Sequence, residues 1–166
     1  MINEVIDLAQ AGCMPGRNIS DNILLATELI KGYNTKHISP RCMMKVDLKK
    51  AYDSIEWPFL QMMMNKLGFP SRFINWVMAC VSSVSFSILI NGAPCKPFKA
   101  KKGLRQGDPM SPFLFAIGME YLSRCLGSLK HNPDFNFHPR CERLHITHLM
   151  FADYLLMFAR ADASSL

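Results

Sequence analysis

Apolar residues recur at helical spacing in four stretches of the chain, and each stretch predicts a helix. In chain order, the predicted helices cover residues 23–30, 59–67, 71–80 and 113–129. Ser20 or Asp21 stands where the first helix needs a capping residue. Pro58 and Pro112 stand at the start of the second and fourth helices, where proline is favoured.

Shorter apolar runs between turn residues predict strands. Residues 42–46 form such a run, typical of a buried strand, and it stops at Asp47. Near the end of the chain, residues 144–150 and 155–158 flank Ala152-Asp153. This pattern predicts two strands that meet at an acidic turn.

Residues 84–90 and 94–101 flank Asn91-Gly92, a strong signal for a β-hairpin. The order of elements is then helix, strand, two helices, hairpin, long helix and hairpin. This order predicts an α+β fold in which helices back an antiparallel sheet. No repeat or linker divides the chain.

The composition is that of a folded protein. Hydrophobic residues make up 49% of the chain and charged residues 19%, which excludes disorder. No uncharged apolar stretch reaches the ~18 residues that a membrane-spanning helix needs. The first residues lack the pattern of a signal peptide. We therefore expect no membrane segment and an intracellular location, nuclear or cytoplasmic.

The formal net charge of +6 favours a polyanionic partner, although an ordinary basic surface explains it equally well. Five basic residues cluster within ten positions and tilt the choice toward a polyanion. They are Lys96, Lys99, Lys101, Lys102 and Arg105.

The six cysteines lie far apart without a C-x-x-C pair, so neither a zinc site nor a disulfide framework is predicted. We expect reduced thiols that are mostly buried. Trp57 and Trp76 lie among apolar neighbours at helical spacing, which predicts that both belong to the core.

Two acids stand out by their position. Asp47 follows the predicted strand, and Asp153 lies at the tip of the C-terminal hairpin. On neighbouring strands of one sheet, their carboxylates would repel each other and attract divalent cations, for which oxygen ligands suit Mg²⁺. Taken singly, an Asp at the end of a strand is more often a turn or capping residue than a metal ligand.

Three segments in this order resemble the reverse transcriptase family. They are KVDLKKAYDSIEW at 45–57, GLRQGDPMSPFLF at 103–115 and FADYLLMF at 151–158. The upstream segment 10–30 resembles the stretch that precedes the first of them in plant-type non-LTR retrotransposons. The resemblance spans nearly the whole chain.

The resemblance implies a polymerase palm with part of the fingers. Residues 1–40 would form partial fingers and a connecting helix, and residues 41–166 the palm. The implied reaction is RNA-directed DNA synthesis, with two metal ions transferring a dNTP to a primer 3′-hydroxyl. The implied cofactor is Mg²⁺, with Mn²⁺ as a substitute, and the partners are an RNA template, a DNA primer and the dNTP.

The resemblance also assigns roles to residues. Asp47 and Asp153 match the catalytic metal ligands. Tyr52 matches the aromatic gate that excludes a ribose 2′-hydroxyl, although a core tyrosine is the alternative. Gln106 and Gly107 match the motif that approaches the incoming nucleotide and the template base.

Other polar residues carry weaker assignments. Lys101, Lys102 and Arg105 are candidate contacts to nucleic acid. Arg17 is a further candidate, with a surface salt bridge as its alternative. Asp53 and Asp108 match positions that do not bind metal, and we expect them to be structural.

The chain departs from the family at its third acidic motif. The family has FADD where this sequence has FADY, so Tyr154 replaces the second carboxylate. The sequence also lacks segments that match the basic fingers hairpin, the primer grip and the thumb. We therefore expect a fragment with weak or no activity. The alternatives are a non-catalytic nucleic-acid-binding remnant and a pseudogene-derived fragment.

Overall fold

The computed structural model describes residues 2–33 and 39–162, in two compact units. The first unit is Met1–Lys49 with Met119–Leu166, and the second is Lys50–Gly118. The helices are α1 (Ile2–Val5), α2 (Ile19–Ile30), α3 (Ala51–Ser54), α4 (Trp57–Lys66), α5 (Ser71–Ser82) and α6 (Ser111–Ser128). The strands are β1 (Arg41–Asp47), β2 (Ser85–Phe86), β3 (Leu89–Ile90), β4 (Ala93–Pro94), β5 (Phe98–Lys99), β6 (His148–Phe151) and β7 (Tyr154–Arg160).

An antiparallel sheet in the order β1-β7-β6 forms the first unit. Strand β1 pairs with β7 over its full length, from Arg41 opposite Arg160 to Asp47 opposite Tyr154. Strands β6 and β7 form the C-terminal hairpin that the sequence predicts, with Phe151 opposite Tyr154. The chain near Gln10 adds a short parallel bridge to the outer edge of β6.

Helix α2 covers one face of this sheet. Its buried residues Ala26 and Leu29 form a core cluster with Leu149 of β6, Phe158 of β7 and Cys141. Full burial of a leucine or phenylalanine side chain stabilises a fold by roughly 1.5–3 kcal/mol. The helix begins earlier than predicted, because its capping residue is not Ser20 or Asp21. Asn18 caps it instead, accepting a hydrogen bond from the Ser20 N–H.

The opposite face of the sheet carries a buried polar network. His148 alternates with Leu149 along β6 and therefore points away from α2. Its Nε2 lies 2.8 Å from the Ser123 hydroxyl of α6, and its Nδ1 lies 2.9 Å from the Thr147 hydroxyl. Burial lowers the pKa of His148, which the Asp7 carboxylate partly offsets.

Helices α4 and α5 are the helical pair of the second unit, and their buried apolar residues lie at helical spacing. They are Leu60, Met63 and Met64 on α4 and Ile74, Val77 and Val81 on α5. Pro58 lies in the first turn of α4, as predicted. Gly68 ends that region with a φ of 81°, in the left-handed conformation that glycine tolerates best.

The predicted hairpin around Asn91-Gly92 consists of four two-residue strands. Strand β2 pairs with β5, and β3 pairs with β4. Asn91 and Gly92 both have positive φ values, of 50° and 81°, which agrees with the predicted turn. All eight strand residues are exposed.

Three expectations about burial are wrong: those for strand β1, for Trp76 and for the cysteines. Strand β1 is not buried, since Met44, Lys45 and Asp47 are exposed on an edge strand. Trp76 is 57% exposed, with the Arg72 guanidinium 4.9 Å from its ring centroid, because it lies outside the Ile74–Val77 face of α5.

The cysteines also differ from the expectation. All six are free, but four are exposed and only Cys141 is fully buried. Burial raises the pKa of the Cys141 thiol to about 12. Among residues 2–33 and 39–162, no helix combines the length and the apolar character needed to cross a membrane.

Candidate active site

The two candidate metal ligands lie at the same end of the first unit's sheet. Asp47 is the last residue of β1 and stands directly opposite Tyr154, the first residue of β7. Asp153 precedes Tyr154 in the two-residue turn, Ala152-Asp153, that we call the acidic turn. The Leu48 N–H donates to the Asp153 carbonyl at 3.2 Å, so the pairing of the two segments continues into this turn.

Gln10 holds the acidic turn in place. Its side chain is buried, and its Oε1 accepts hydrogen bonds from the Gly12 N–H at 3.0 Å and the Ala152 N–H at 3.1 Å. Ala152 has a positive φ of 50°, an unfavourable conformation for a residue other than glycine. The hydrogen bond that Ala152 donates to Gln10 therefore stabilises a strained residue next to Asp153.

Gly12 allows the N-terminal segment to approach this closely. A Cβ atom at position 12 would lie 2.4 Å from the Ala152 backbone nitrogen. Sequence reasoning missed both Gln10 and Gly12, since neither belongs to a periodic pattern. The only available signal was their place in the upstream segment that resembles the family.

Arg17 has a structural role that the sequence did not reveal. Its guanidinium donates to the carbonyl oxygens of Gln10 at 2.7 Å, Ile6 at 2.7 Å and Asn3 at 3.2 Å, and also to that of Asp7. One side chain thus ties together the backbone segment that leads into Gln10. This arrangement accounts for Arg17 without a nucleic-acid partner.

Tyr154 brings a cation to the acidic end of the sheet. Its ring lies on the same face as the Asp47 side chain, because the two residues are directly paired. The Lys45 Nζ lies 4.7 Å from the centroid of that ring. Tyr154 is 43% exposed, so the cation–π contact is a partly solvated one.

The second unit holds the residues predicted to face the nucleotide. The half-buried Tyr52 ring stacks on Phe115, with 4.7 Å between centroids and 7° between planes. The Tyr52 carbonyl accepts from the Leu104 N–H at 2.9 Å, and the Ile55 carbonyl accepts from the Gly103 N–H at 2.8 Å. Tyr52 is therefore tied to the start of the GLRQGDP segment.

Gln106 and Gly107 form an exposed turn in the same unit. Gly107 has a φ of 85°, and no atom lies within 4 Å of where its Cβ would be. Backbone conformation, and not crowding within the chain, therefore requires glycine here. Asp108 is structural as expected, since its Oδ1 accepts from the Met110 N–H at 2.8 Å just before α6.

The three basic candidates of the second unit are all exposed. Lys102 forms an ion pair with Glu56, with 3.2 Å between Nζ and Oε1. Lys101 and Arg105 lie on either side of the Gly103-Leu104 segment. Their charges are thus available to a solvent-borne anion.

Few side chains can hold a metal ion. Among residues 2–33 and 39–162, no group of three or more His, Cys, Asp or Glu side chains has the geometry for one. Asp47 and Asp153 are the two candidate carboxylates at this end of the sheet.

Comparisons with known proteins bear on this arrangement. A family model described as "Reverse transcriptase (RNA-dependent DNA polymerase)" matches residues 1–165. The Pol polyprotein of the R2DM retrotransposable element of Drosophila melanogaster, a non-LTR element, is 29% identical over 122 residues. That match covers 74% of this chain and 11% of the Drosophila protein.

A plant protein and a solved structure are also similar. An uncharacterized mitochondrial protein of Arabidopsis thaliana is 42% identical over 71 residues, covering 39% of this chain and 54% of that protein. Telomerase from Candida albicans superposes with a TM-score of 0.66 at 13% identity, covering 95% of this chain and 28% of the telomerase chain. The predicted α+β, polymerase-palm fold is thereby confirmed.

Proposed function

The chain belongs to the reverse transcriptase (RNA-dependent DNA polymerase) family, and we propose that it forms the palm and partial fingers of a plant-type non-LTR retrotransposon polymerase. The register of β1 and β7 carries this proposal, because Asp47 is opposite Tyr154 and Asp153 is next to it. The similarity to an Arabidopsis protein supports the plant-type assignment. In the proposed division, residues 1–40 are partial fingers and a connecting helix, and residues 41–166 are the palm.

Asp47 and Asp153 are the proposed ligands for Mg²⁺, or for Mn²⁺ in its place. In nucleotide-processing sites, Mg²⁺ is held by one or two carboxylates and completed by water and substrate phosphates. Two carboxylates at one end of the sheet therefore fit the ligand requirements of Mg²⁺ or Mn²⁺. When bound, two such ions supply activation of a primer 3′-hydroxyl and neutralisation of charge on the departing pyrophosphate.

Tyr154 and Lys45 weaken this donor set. Tyr154 adds no carboxylate where the family has a second aspartate. The Lys45 ammonium, held on the Tyr154 ring, adds a positive charge on the face that Asp47 shares. We therefore propose weak cation binding and little or no catalytic activity.

The second unit is proposed to contact the incoming dNTP. Stacking on Phe115 fixes the plane of the Tyr52 ring, and a rigid ring is suited to exclude a 2′-hydroxyl and so to select deoxynucleotides. Gln106 offers an uncharged amide to the nucleotide or the template base. Gly107 lets the backbone approach closely.

Lys101, Lys102 and Arg105 are the proposed phosphate contacts for an RNA template and a DNA primer. They are exposed and lie close together in the sequence. Arg17 is the weaker candidate, because its N–H groups already donate to four backbone carbonyls.

A non-catalytic nucleic-acid-binding protein is the second candidate. The observation that favours it is the Lys45–Tyr154 contact, which lies at the acidic end of the sheet and does not involve Lys101, Lys102 or Arg105. The two candidates differ in whether restoring the second aspartate restores synthesis.

Primer extension by a chimera tests the proposal, since this chain spans only 11% of the Drosophila relative. Residues 1–165 would replace the matching segment of that R2 protein, with an RNA template and Mg²⁺ or Mn²⁺. We expect little product with Tyr154, clear product after Tyr154→Asp, and none when Asp47→Asn is added. A Tyr154→Asp chimera that binds primer–template without extending it would favour the second candidate.

A further inference from the structure

The hairpin of the second unit exposes a pair of phenylalanines. Phe86 of β2 and Phe98 of β5 are directly paired, so both rings lie on one face of the hairpin. Their centroids are 6.2 Å apart at an interplanar angle of 41°. They are 45% and 50% exposed, whereas phenylalanines within a folded core lose nearly all of their exposure.

A cavity of about 390 Å³ opens beside these rings. Phe86, Phe98 and Val84 line it together with the Lys101–Arg105 segment. We call this cavity the aromatic groove. Its volume lies within the ~300–1,000 Å³ range of small-molecule binding pockets.

The groove has a fixed wall. The Gly103 carbonyl accepts from the Trp57 Nε1–H at 2.8 Å, and the Gly103 N–H donates to the Ile55 carbonyl at 2.8 Å. Gly103 has a φ of 86°, and a Cβ atom there would lie 3.1 Å from the Asp53 backbone. These contacts tie Gly103, in the middle of the Lys101–Arg105 segment, to residues 53–57.

The charge around the groove is one-sided. Residues 83–107 contain five Lys and Arg and no Asp or Glu, a net charge of +5. The nearby acids are Asp53, which lines the groove, Glu56, which pairs with Lys102, and Asp108, whose N–H donates to the Arg105 carbonyl. An exposed aromatic pair beside an excess of cations suits a ligand that has both flat apolar rings and negative charges.

We propose that Phe86 and Phe98 form a base-stacking site for single-stranded nucleic acid, with Lys101 and Arg105 holding the flanking phosphates. The inference rests on the proposed function only in taking nucleic acid as the ligand of this family. Aromatic rings that stack bases next to cations that track the backbone are the usual means of binding single strands without sequence preference. A protein partner would use the same apolar rings but has no need for the excess of cations beside them.

Fluorescence anisotropy with a labelled 12-nucleotide RNA would test the stacking site, in the absence of divalent ions. We expect Phe86→Leu with Phe98→Leu to weaken binding about 5- to 150-fold, the range of losing one stacked base, with an unchanged salt dependence. Phe86→Trp should retain the affinity. The matched control is Phe73→Leu on α5, a phenylalanine that is 41% exposed outside the groove and should have no effect.

A second probe separates stacking from folding. An abasic sugar–phosphate oligomer of the same length should bind the wild type and the double Leu variant equally. Equal RNA affinity of wild type and double variant would overturn the proposal and point to a protein on the rings. Equal loss for RNA and the abasic oligomer would also overturn it, since the rings would then only support the hairpin. Cation binding at Asp47 is measured independently, so this inference can fail while the proposed function stands.

Discussion

Tyr154 determines how much negative charge the acidic end of the sheet can offer a cation. It stands opposite Asp47 and follows Asp153 directly, so a carboxylate at this position would join both acids. The aromatic ring instead holds the Lys45 ammonium at 4.7 Å. Compared with an aspartate at this position, Tyr154 thus lacks a negative charge and also holds the positive charge of Lys45 nearby.

We expect Tyr154→Asp to tighten Mn²⁺ binding by about tenfold or more. Two opposite unit charges ~4 Å apart gain about 1 kcal/mol in water and about 4 kcal/mol near a protein surface, and 1.4 kcal/mol is a factor of ten. Isothermal titration calorimetry on the 166-residue chain measures this. Tyr154→Phe, which keeps the ring beneath Lys45, should bind as the wild type does. Equal affinities of all three proteins would contradict the proposed site.

Gly12 supports the same end of the sheet by lacking a side chain. We expect Gly12→Ala to lower the free energy of unfolding by about 1–3 kcal/mol, since its Cβ would lie 2.4 Å from the Ala152 nitrogen. Urea denaturation followed by circular dichroism measures the loss. Gly127→Ala is the control, because nothing lies within 4 Å of that Cβ and alanine is favoured in a helix. A Gly12→Ala variant as stable as Gly127→Ala would contradict the close approach of residue 12 to the Ala152 backbone.

At the residue scale, the sequence predicted that Asp47 and Asp153 lie on one sheet, but not which residues hold them there. Asp47 and Asp153 ended apolar runs, and that position alone brought them to one sheet end. Gln10 and Arg17 act through backbone carbonyl and N–H groups distant in sequence, and no periodic pattern encodes such bonds. The Lys45–Tyr154 contact needed the strand register as well as the sequence.

At the scale of elements, β6 joins an apolar and a polar layer. Its Leu149 side belongs to the core beneath α2, while its His148 side bonds to Ser123 on α6. Burial lowers the pKa of His148 and also that of His138, which is beside Phe158 in the same unit. Both rings are therefore favoured in the neutral form in the folded state.

This burial predicts a stability that falls in acid. Below the ordinary histidine pKa of about 6.5, the unfolded chain binds protons that the folded chain does not. Stability should therefore be constant above about pH 7.5 and decrease as the pH falls through 6.5, by up to ~1.4 kcal/mol per pH unit for each histidine. Urea denaturation between pH 5 and 8 measures this.

The variant His148→Gln should flatten the pH profile, whatever its effect at neutral pH. The exposed His145, replaced in His145→Asn, is the control and should leave the slope unchanged. A His148→Gln profile as steep as that of the wild type would show that another group causes the acid sensitivity.

Elements were predictable where they were long and periodic. The four predicted helices correspond to α2, α4, α5 and α6. The four-residue helices α1 and α3 are too short to show a helical period. Strand β1 was found but its burial was misjudged, because a continuous apolar run does not distinguish a central strand from an edge strand.

At the scale of the molecule, positive charge is concentrated in one unit. Residues 50–118 contain eight Lys and Arg against three Asp and Glu, a net +5 of the chain's +6. The first unit, which holds the acidic turn, is thus nearly neutral, with eleven basic and ten acidic residues. A polyanion should therefore be attracted to the second unit and a divalent cation to the first.

We expect the chain to bind single-stranded RNA weakly, with little sequence preference and a steep dependence on salt. Each phosphate that a Lys or Arg neutralises contributes about −0.7 to the slope of log affinity against log salt. Lys101→Gln with Arg105→Gln should therefore make the slope shallower by about 1.4. Lys102 is left unchanged, because Glu56 already pairs with it.

The control for this last measurement is Lys66→Gln with Lys130→Gln, which removes the same net charge outside residues 83–107. If attraction depended only on the overall charge of +6, both double variants would lose affinity equally. If it depends on local phosphate contacts, only Lys101→Gln with Arg105→Gln changes the slope, because counterions are released where cations touch the strand. Anisotropy titrations between about 50 and 200 mM salt distinguish the two cases. A wild-type affinity that is constant over that range would refute an electrostatic origin of binding altogether.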